Sequence, residues 1–203
     1  MVAAAAGVLA VGAPADAGPL PTYIQGDHHS PAVVMLAAQA LRSYDQLAFV
    51  GDRESYLRYV DLRDDAADAV AGELGLPRRD LRQAWARADT PHQVAVLAAL
   101  TQLGVAYQFA TSTEGVGFDC SGLTAYAWGR AGVTLARQSG SQIGAAAPRD
   151  SLSAVAGDLI QYPGHVMMYL GVDQAIVHAS NHETDVELSI VDRDSLNWGD
   201  PTA

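Results

Sequence analysis

The hydrophobic period of this chain changes once along its length, and the change constrains the fold more than any other feature of the sequence. Ser30-Pro31 pairs a capping hydroxyl with a proline at the first helical position, and Val33, Leu36, Ala37, Ala40, Tyr44 and Leu47 follow at helical spacing. Gly51-Asp52 breaks and recaps the pattern, and Tyr56, Tyr59, Val60, Ala67, Val70 and Leu74 mark a second helix closed near Gly75. Pro77–Arg87, carrying Trp85, reads as a third helix, and Thr90-Pro91 opens a fourth that runs to about Leu103. From Asp158 the texture is different. Runs at 158–162, 166–170, 175–178 and 186–190 are short, β-type and divided by Gly, Pro, Asn and Asp. Helices followed by a meander of strands predict an α+β fold, with helices on one face of a small antiparallel sheet.

Charge narrows the range of partners. The net charge is −11 and every basic residue is Arg, so a charged patch for nucleic acid or anionic lipid is not expected. The opening MVAAAAGVLAVGAPADA is too short and too early interrupted by Pro14 to span a bilayer. It suits the apolar region of a secretory signal, with Ala15-Asp16-Ala17 as a small-x-small cleavage site and no basic residues before it. Export is therefore expected, with residues 18–29 as a linker.

Cys120 is the only cysteine, and in an exported chain it has no internal disulfide partner. It stands where a glycine-containing loop (Gly115, Gly117) gives way to a helix predicted to end near Ala131-Gly132. The unpaired N–H groups of such a helix start favour a thiolate. Asp119 opposes it by charge, so a histidine partner is needed. Of six histidines, His28 and His29 fall in the linker, His92 in a first helical turn and His182 in a polar loop; exposed or capping roles are expected for these. His165 and His178 sit in or beside adjacent β-runs. Side chains alternate along strands, so an even-length loop around Gly171-Val172-Asp173 puts both on one face, and a three-residue loop without a bulge puts them on opposite faces. No metal cluster is evident: there is no second Cys and no Glu beside His165, and no cofactor is expected.

Several ordered motifs together resemble the NlpC/P60 cell-wall peptidases: Asp119-Cys120-Ser121-Gly122, Gly157-Asp158-Leu159-Ile160, residues 164–171 (GHVMMYLG) and Ile176-Val177-His178-Ala179. Arg137–Gln142 resembles the family's segment between catalytic helix and sheet. The similarity spans roughly Pro91 to Pro201. It implies a papain-like arrangement, with Cys120 as nucleophile, His165 as general base and His178 as the residue that orients His165. It further implies the Cys120 N–H and the Tyr107 hydroxyl as oxyanion donors, and Asp119 and Ser121 as contacts for the substrate's free amino end. Core packing for Tyr107 and helix capping for Asp119 are the structural alternatives. The implied reaction is hydrolysis of peptidoglycan stem peptides at the amide joining γ-D-glutamyl to a diamino acid, in the bacterial envelope or outside the cell. Where many members follow the tyrosine with Trp-Gly-Gly, this chain has Gln108-Phe109-Ala110, a departure that borders the cleft.

The resulting organisation is a signal-like segment and linker (1–29), a helical segment (30–89) and a catalytic domain (90–203). The helical segment either extends the core or covers the cleft. A related amidase or acyltransferase would use the same residues on another acyl group. A non-catalytic wall-binding module would have no need of the thiol.

Overall fold

The computed structural model describes residues 22–25, 30–180 and 184–202, with side chains from residue 30 onward. The signal-like segment, His28, His29 and His182 lie outside the described residues. No helix among those described is long and apolar enough to cross a membrane.

Helix α1 (Pro31–Val50) starts at Ser30, whose hydroxyl accepts from the Val33 N–H, and stops at Gly51 in the left-handed conformation. Helix α2 (Arg53–Leu74) is capped by Asp52 and closed by Gly75 in the same way. Helix α3 (Arg78–Arg87) follows, then α4 (Thr90–Leu100). The cap of α4 is Asp89, which accepts from the His92 N–H, so Thr90 is inside the helix rather than before it. A two-stranded hairpin, β2 (Ser112–Thr113) and β3 (Gly117–Phe118), leads into α5 (Cys120–Arg130) and the short α6 (Ser139–Ala145).

The remaining strands form one antiparallel sheet: β1 (Thr22–Gln25), β4 (Ala147–Arg149), β5 (Leu159–Tyr162), β6 (His165–Tyr169), β7 (Ala175–Ala179), β8 (Val186–Asp192) and β9 (Asn197–Asp200). Their spatial order is β1-β8-β7-β6-β5-β9-β4. Sequence reading found the four central strands and missed the edges. The stretch read as a linker contains β1, which pairs with β8 across most of the chain's length. A four-residue run has little local signal of its own, and this pairing is a long-range event.

One continuous apolar cluster draws on α1, α2, α3, α4, α5 and one face of the sheet, including Val33, Tyr59, Trp85, Leu97, Trp128, Met168 and Val177. The indole N–H of Trp85 in α3 donates to the Leu170 carbonyl at 2.9 Å, fastening the helical segment to the sheet. A smaller cluster with Ile160, Met167, Tyr169, Ile176 and Val191 covers the other face.

The β6–β7 loop decides where the histidines point. Met168 pairs with Val177 and Tyr169 with Ile176, and the Leu170 N–H donates to the Ala175 carbonyl at 2.8 Å. The loop is therefore Gly171-Val172-Asp173-Gln174, an even length, with φ of 100°, 47° and 54° at Gly171, Asp173 and Gln174. His165 shares a face with Tyr169, and His178 with Ile176, so both histidines share one face, as the even-loop expectation required.

Candidate active site

Cys120 is the first residue of α5, where backbone N–H groups have no intrahelical acceptor. Asp119 is the cap: its Oδ1 accepts from the Gly122 N–H at 2.7 Å. Its Oδ2 accepts from the Ala110 N–H at 2.9 Å, drawing the preceding loop onto the helix start. Gly122 is required by the same closeness. A Cβ there would lie 2.1 Å from the Thr111 carbonyl oxygen, so any other residue would force the loop away from the thiol.

Arg137, quoted within a motif but not singled out from sequence, completes this corner. Its guanidinium donates to Asp119 Oδ1 at 2.9 Å and Oδ2 at 2.6 Å, and to the Ser121 hydroxyl at 3.0 Å. Asp119 thus caps the helix and pairs an arginine at once. Gln142 locks the next element down. It is buried, accepts from Thr124 Oγ1 at 2.7 Å and donates to the carbonyls of Ser121 and Ala136.

Beside the helix start opens a cleft of about 450 Å³, whose walls include Tyr107, Phe109, Cys120, Ser121, Arg137 and Gly164. Cys120 is partly exposed to it. Phe109, 76% exposed, belongs to the loop that departs from the family pattern. Burial, then the neighbouring Cys120 and Asp119, raise the Tyr107 phenol above its ordinary value of 10.0, which keeps it a hydrogen-bond donor near neutrality. Helices α1–α3 line none of this cleft; their described residues extend the core instead.

Gly164, in the cleft wall, leads directly into His165. The His165 ring is buried, and its Nε2 lies 2.9 Å from Nδ1 of His178. Burial, then the like charge of His178, hold the His165 pKa well below the ordinary 6.5. Burial also lowers His178, against the opposing pull of Glu187. Both shifts favour the neutral form of the rings near pH 7. Behind them stands Glu187 on β8, paired with His178 in register and 2% exposed. Its Oε1 is 3.2 Å from His178 Nε2. Nothing in Val186–Ile190 singled it out, because its alternation of apolar and polar residues reads as a strand with one wet face.

His92 is not the exposed or capping residue expected from its place in a first turn. It is 2% exposed, with Nδ1 2.6 Å from Asp89 Oδ1 and Nε2 3.2 Å from Asp158 Oδ1. Burial lowers its pKa, but the bonds to Asp158 and Asp89 outweigh that and raise it. Gly157 has φ 101°, and a Cβ there would come within 2.9 Å of the His92 ring, which accounts for the Gly157-Asp158 motif. His92, Asp158 and Asp200 are close enough to share a cation. Their oxygens are already engaged: Asp158 Oδ2 by the Val155 N–H, and Asp200 by Arg149 and Thr202. The group is an ion network joining α4 to β5 and β9.

The NlpC/P60 family profile matches residues 104–197. The P60 domain of an M. avium subspecies paratuberculosis antigen is 30% identical, with 98% of that domain and 61% of this chain covered, at a TM-score of 0.50. The chain belongs to the NlpC/P60 family. Among NlpC/P60 relatives, Mycobacterium tuberculosis RipB, a peptidoglycan endopeptidase, is 34% identical over 61% of this chain and 54% of RipB. Its solved structure, described as a peptidoglycan hydrolase, superposes with a TM-score of 0.50 at 27% identity, covering 87% of this chain and 98% of that one. A Bacillus cereus relative, gamma-D-glutamyl-L-lysine dipeptidyl-peptidase, is 38% identical over 42% of this chain and 28% of its own length. The chain thus spans about half the length of curated RipB.

Proposed function

We propose that this chain is an exported cysteine peptidase that hydrolyses peptidoglycan stem peptides at the amide between γ-D-glutamyl and a diamino acid. The observation that carries the reading is the neutral His165–His178 pair, whose strand begins at the wall of the cleft that holds Cys120. The γ-D-glutamyl assignment draws on the name of the Bacillus cereus relative, and the wall substrate on that of RipB.

In this mechanism Cys120 gives its proton to His165, and the sulfur attacks the scissile carbonyl. His165 uses Nδ1, because its Nε2 is engaged with His178. The Cys120 N–H and the Tyr107 hydroxyl stabilise the tetrahedral oxyanion. His165 then passes its proton to the leaving amine, a thioester forms, and water, deprotonated by His165, releases the γ-glutamyl carboxylate. Asp119 and Ser121 meet the substrate's free amino end at the cleft wall, where they share it with Arg137. Residues 90–203 are the catalytic unit and 30–89 a packed extension of its core.

Digestion of purified peptidoglycan, with chromatography of the soluble fragments, tests this. The full chain should release stem-peptide fragments and Cys120→Ala should release none. Binding to the wall without fragments from either protein would replace the peptidase by a wall-binding module. Fragments released equally by both would remove Cys120 from the chemistry.

A further inference from the structure

Glu187 is a carboxylate at 2% exposure with no role in the reaction as described above, and it sits at hydrogen-bond distance from a ring nitrogen of His178. An ionised carboxylate only accepts, so the proton of a neutral His178 belongs on Nε2, the nitrogen 3.2 Å from Oε1. With its proton on Nε2, His178 offers a lone pair on Nδ1. His165 Nε2, 2.9 Å away, must then carry the hydrogen between them. A neutral His165 with its proton on Nε2 has its lone pair on Nδ1. We propose that Glu187 is a positioning residue that, through His178, fixes the tautomers of both rings so that Nδ1 of His165 is the basic nitrogen.

The proposal rests on the peptidase reading only for the use made of that base. When the proton of Cys120 moves to His165 Nδ1, the sulfur becomes anionic and His165 cationic, and the N–H toward His178 stays in place. The new positive charge is then backed, across one neutral ring, by a buried negative one. That lowers the cost of charging an imidazole in a site whose burial opposes it. Among the described residues, Tyr162 lies 5.3 Å from His165, and Arg193 stacks over Tyr162.

Glu187→Gln preserves shape but supplies an amide that can donate to His178 Nε2. The tautomers are then no longer fixed, and in the reversed form His165 presents an N–H instead of a lone pair on Nδ1. Three measurements on the full chain read this out: kcat and KM on a stem peptide, the rate of Cys120 alkylation by iodoacetamide against pH, and the ¹⁵N shifts of the imidazole nitrogens. Since Cys120 is the only thiol, alkylation reports it alone. For Glu187→Gln, kcat should fall about 10- to 100-fold with KM nearly unchanged, alkylation should slow below pH 8, and Glu187→Asp should recover part of both. In the wild type, His165 and His178 should each carry their hydrogen on Nε2.

Wild-type kcat and an unchanged alkylation profile in Glu187→Gln would overturn the proposal. So would a wild-type hydrogen on Nδ1 of either ring, a result that needs no variant to fold. If no peptide is cut by the wild type, alkylation and tautomers still decide the role of Glu187, and only the peptidase reading is lost.

Discussion

Two buried histidine sites in this protein are built from the same parts and have pKa values pushed in opposite directions. At His92, both ring nitrogens meet carboxylates directly, Asp89 on one side and Asp158 on the other, and the pKa is raised above the ordinary value. At His165, one ring nitrogen meets a second histidine, the carboxylate of Glu187 is one ring further away, and burial wins, holding the pKa down. The difference lies in where the carboxylate sits rather than in how deep the histidine is. Direct contact favours the cationic form of a ring that fastens a helix to a sheet. An intervening ring leaves it neutral, oriented and free to accept a proton. Carboxylates near a buried histidine therefore do not by themselves mark chemistry. The number of ring nitrogens left uncommitted separates the two sites.

The sharpest contrast is in the variants. Cys120→Ala or His165→Ala should lower turnover roughly 10⁴-fold or more while leaving stability nearly unchanged, measured by peptide cleavage and thermal melts. His178→Ala should cost roughly 10³-fold, and His178→Asn, which keeps an acceptor for the His165 N–H, should recover much of that. His92→Ala should do the reverse. It leaves Asp158 buried without its cation, and is expected to cost about 3 kcal/mol of stability, or roughly 6–12 °C in Tm, with turnover of the folded protein nearly intact.

The two sites also give the stability curve opposite slopes. His92, raised in the folded state, contributes stability that is fully present below the unfolded value near 6.5 and is lost as pH rises through its folded pKa. His165 and His178, lowered in the folded state, destabilise as pH falls below 6.5, because the unfolded chain takes up protons the folded one refuses. Urea unfolding against pH should show both limbs. His92→Gln should flatten the alkaline limb alone. The smallest effect is expected at Phe109, which is in the cleft wall but outside the core: Phe109→Ala should raise KM roughly 3- to 10-fold, the equivalent of about 1 kcal/mol of lost contact.

What the sequence made legible follows the range of the interactions involved. Ser30, Asp52, Gly51 and Gly75 mark helix ends through contacts within a turn, and each acts as read. The shared face of His165 and His178 follows from a loop length, also local. Glu187, Arg137 and the burial of His92 were not legible, because each is defined by a residue distant in sequence. Glu187 sits in a strand whose alternating pattern implies a wet face, yet Val186 to Ser189 are all buried. Arg137 looks like any surface arginine until α6 and the start of α5 meet. His92 reads as a first-turn residue until Asp158 arrives from the sheet.

The most direct test of the account is hydrolysis of one defined stem peptide in H₂¹⁸O, with the products weighed by mass spectrometry. The wild type, Cys120→Ala and His92→Gln should be run side by side under conditions where all three are folded. The account predicts one ¹⁸O in the new γ-carboxyl of the D-glutamyl product and a free amine on the diamino acid, from wild type and His92→Gln alike, and nothing from Cys120→Ala. Cleavage that survives in Cys120→Ala, or a folded wild type that leaves the peptide whole, would contradict it.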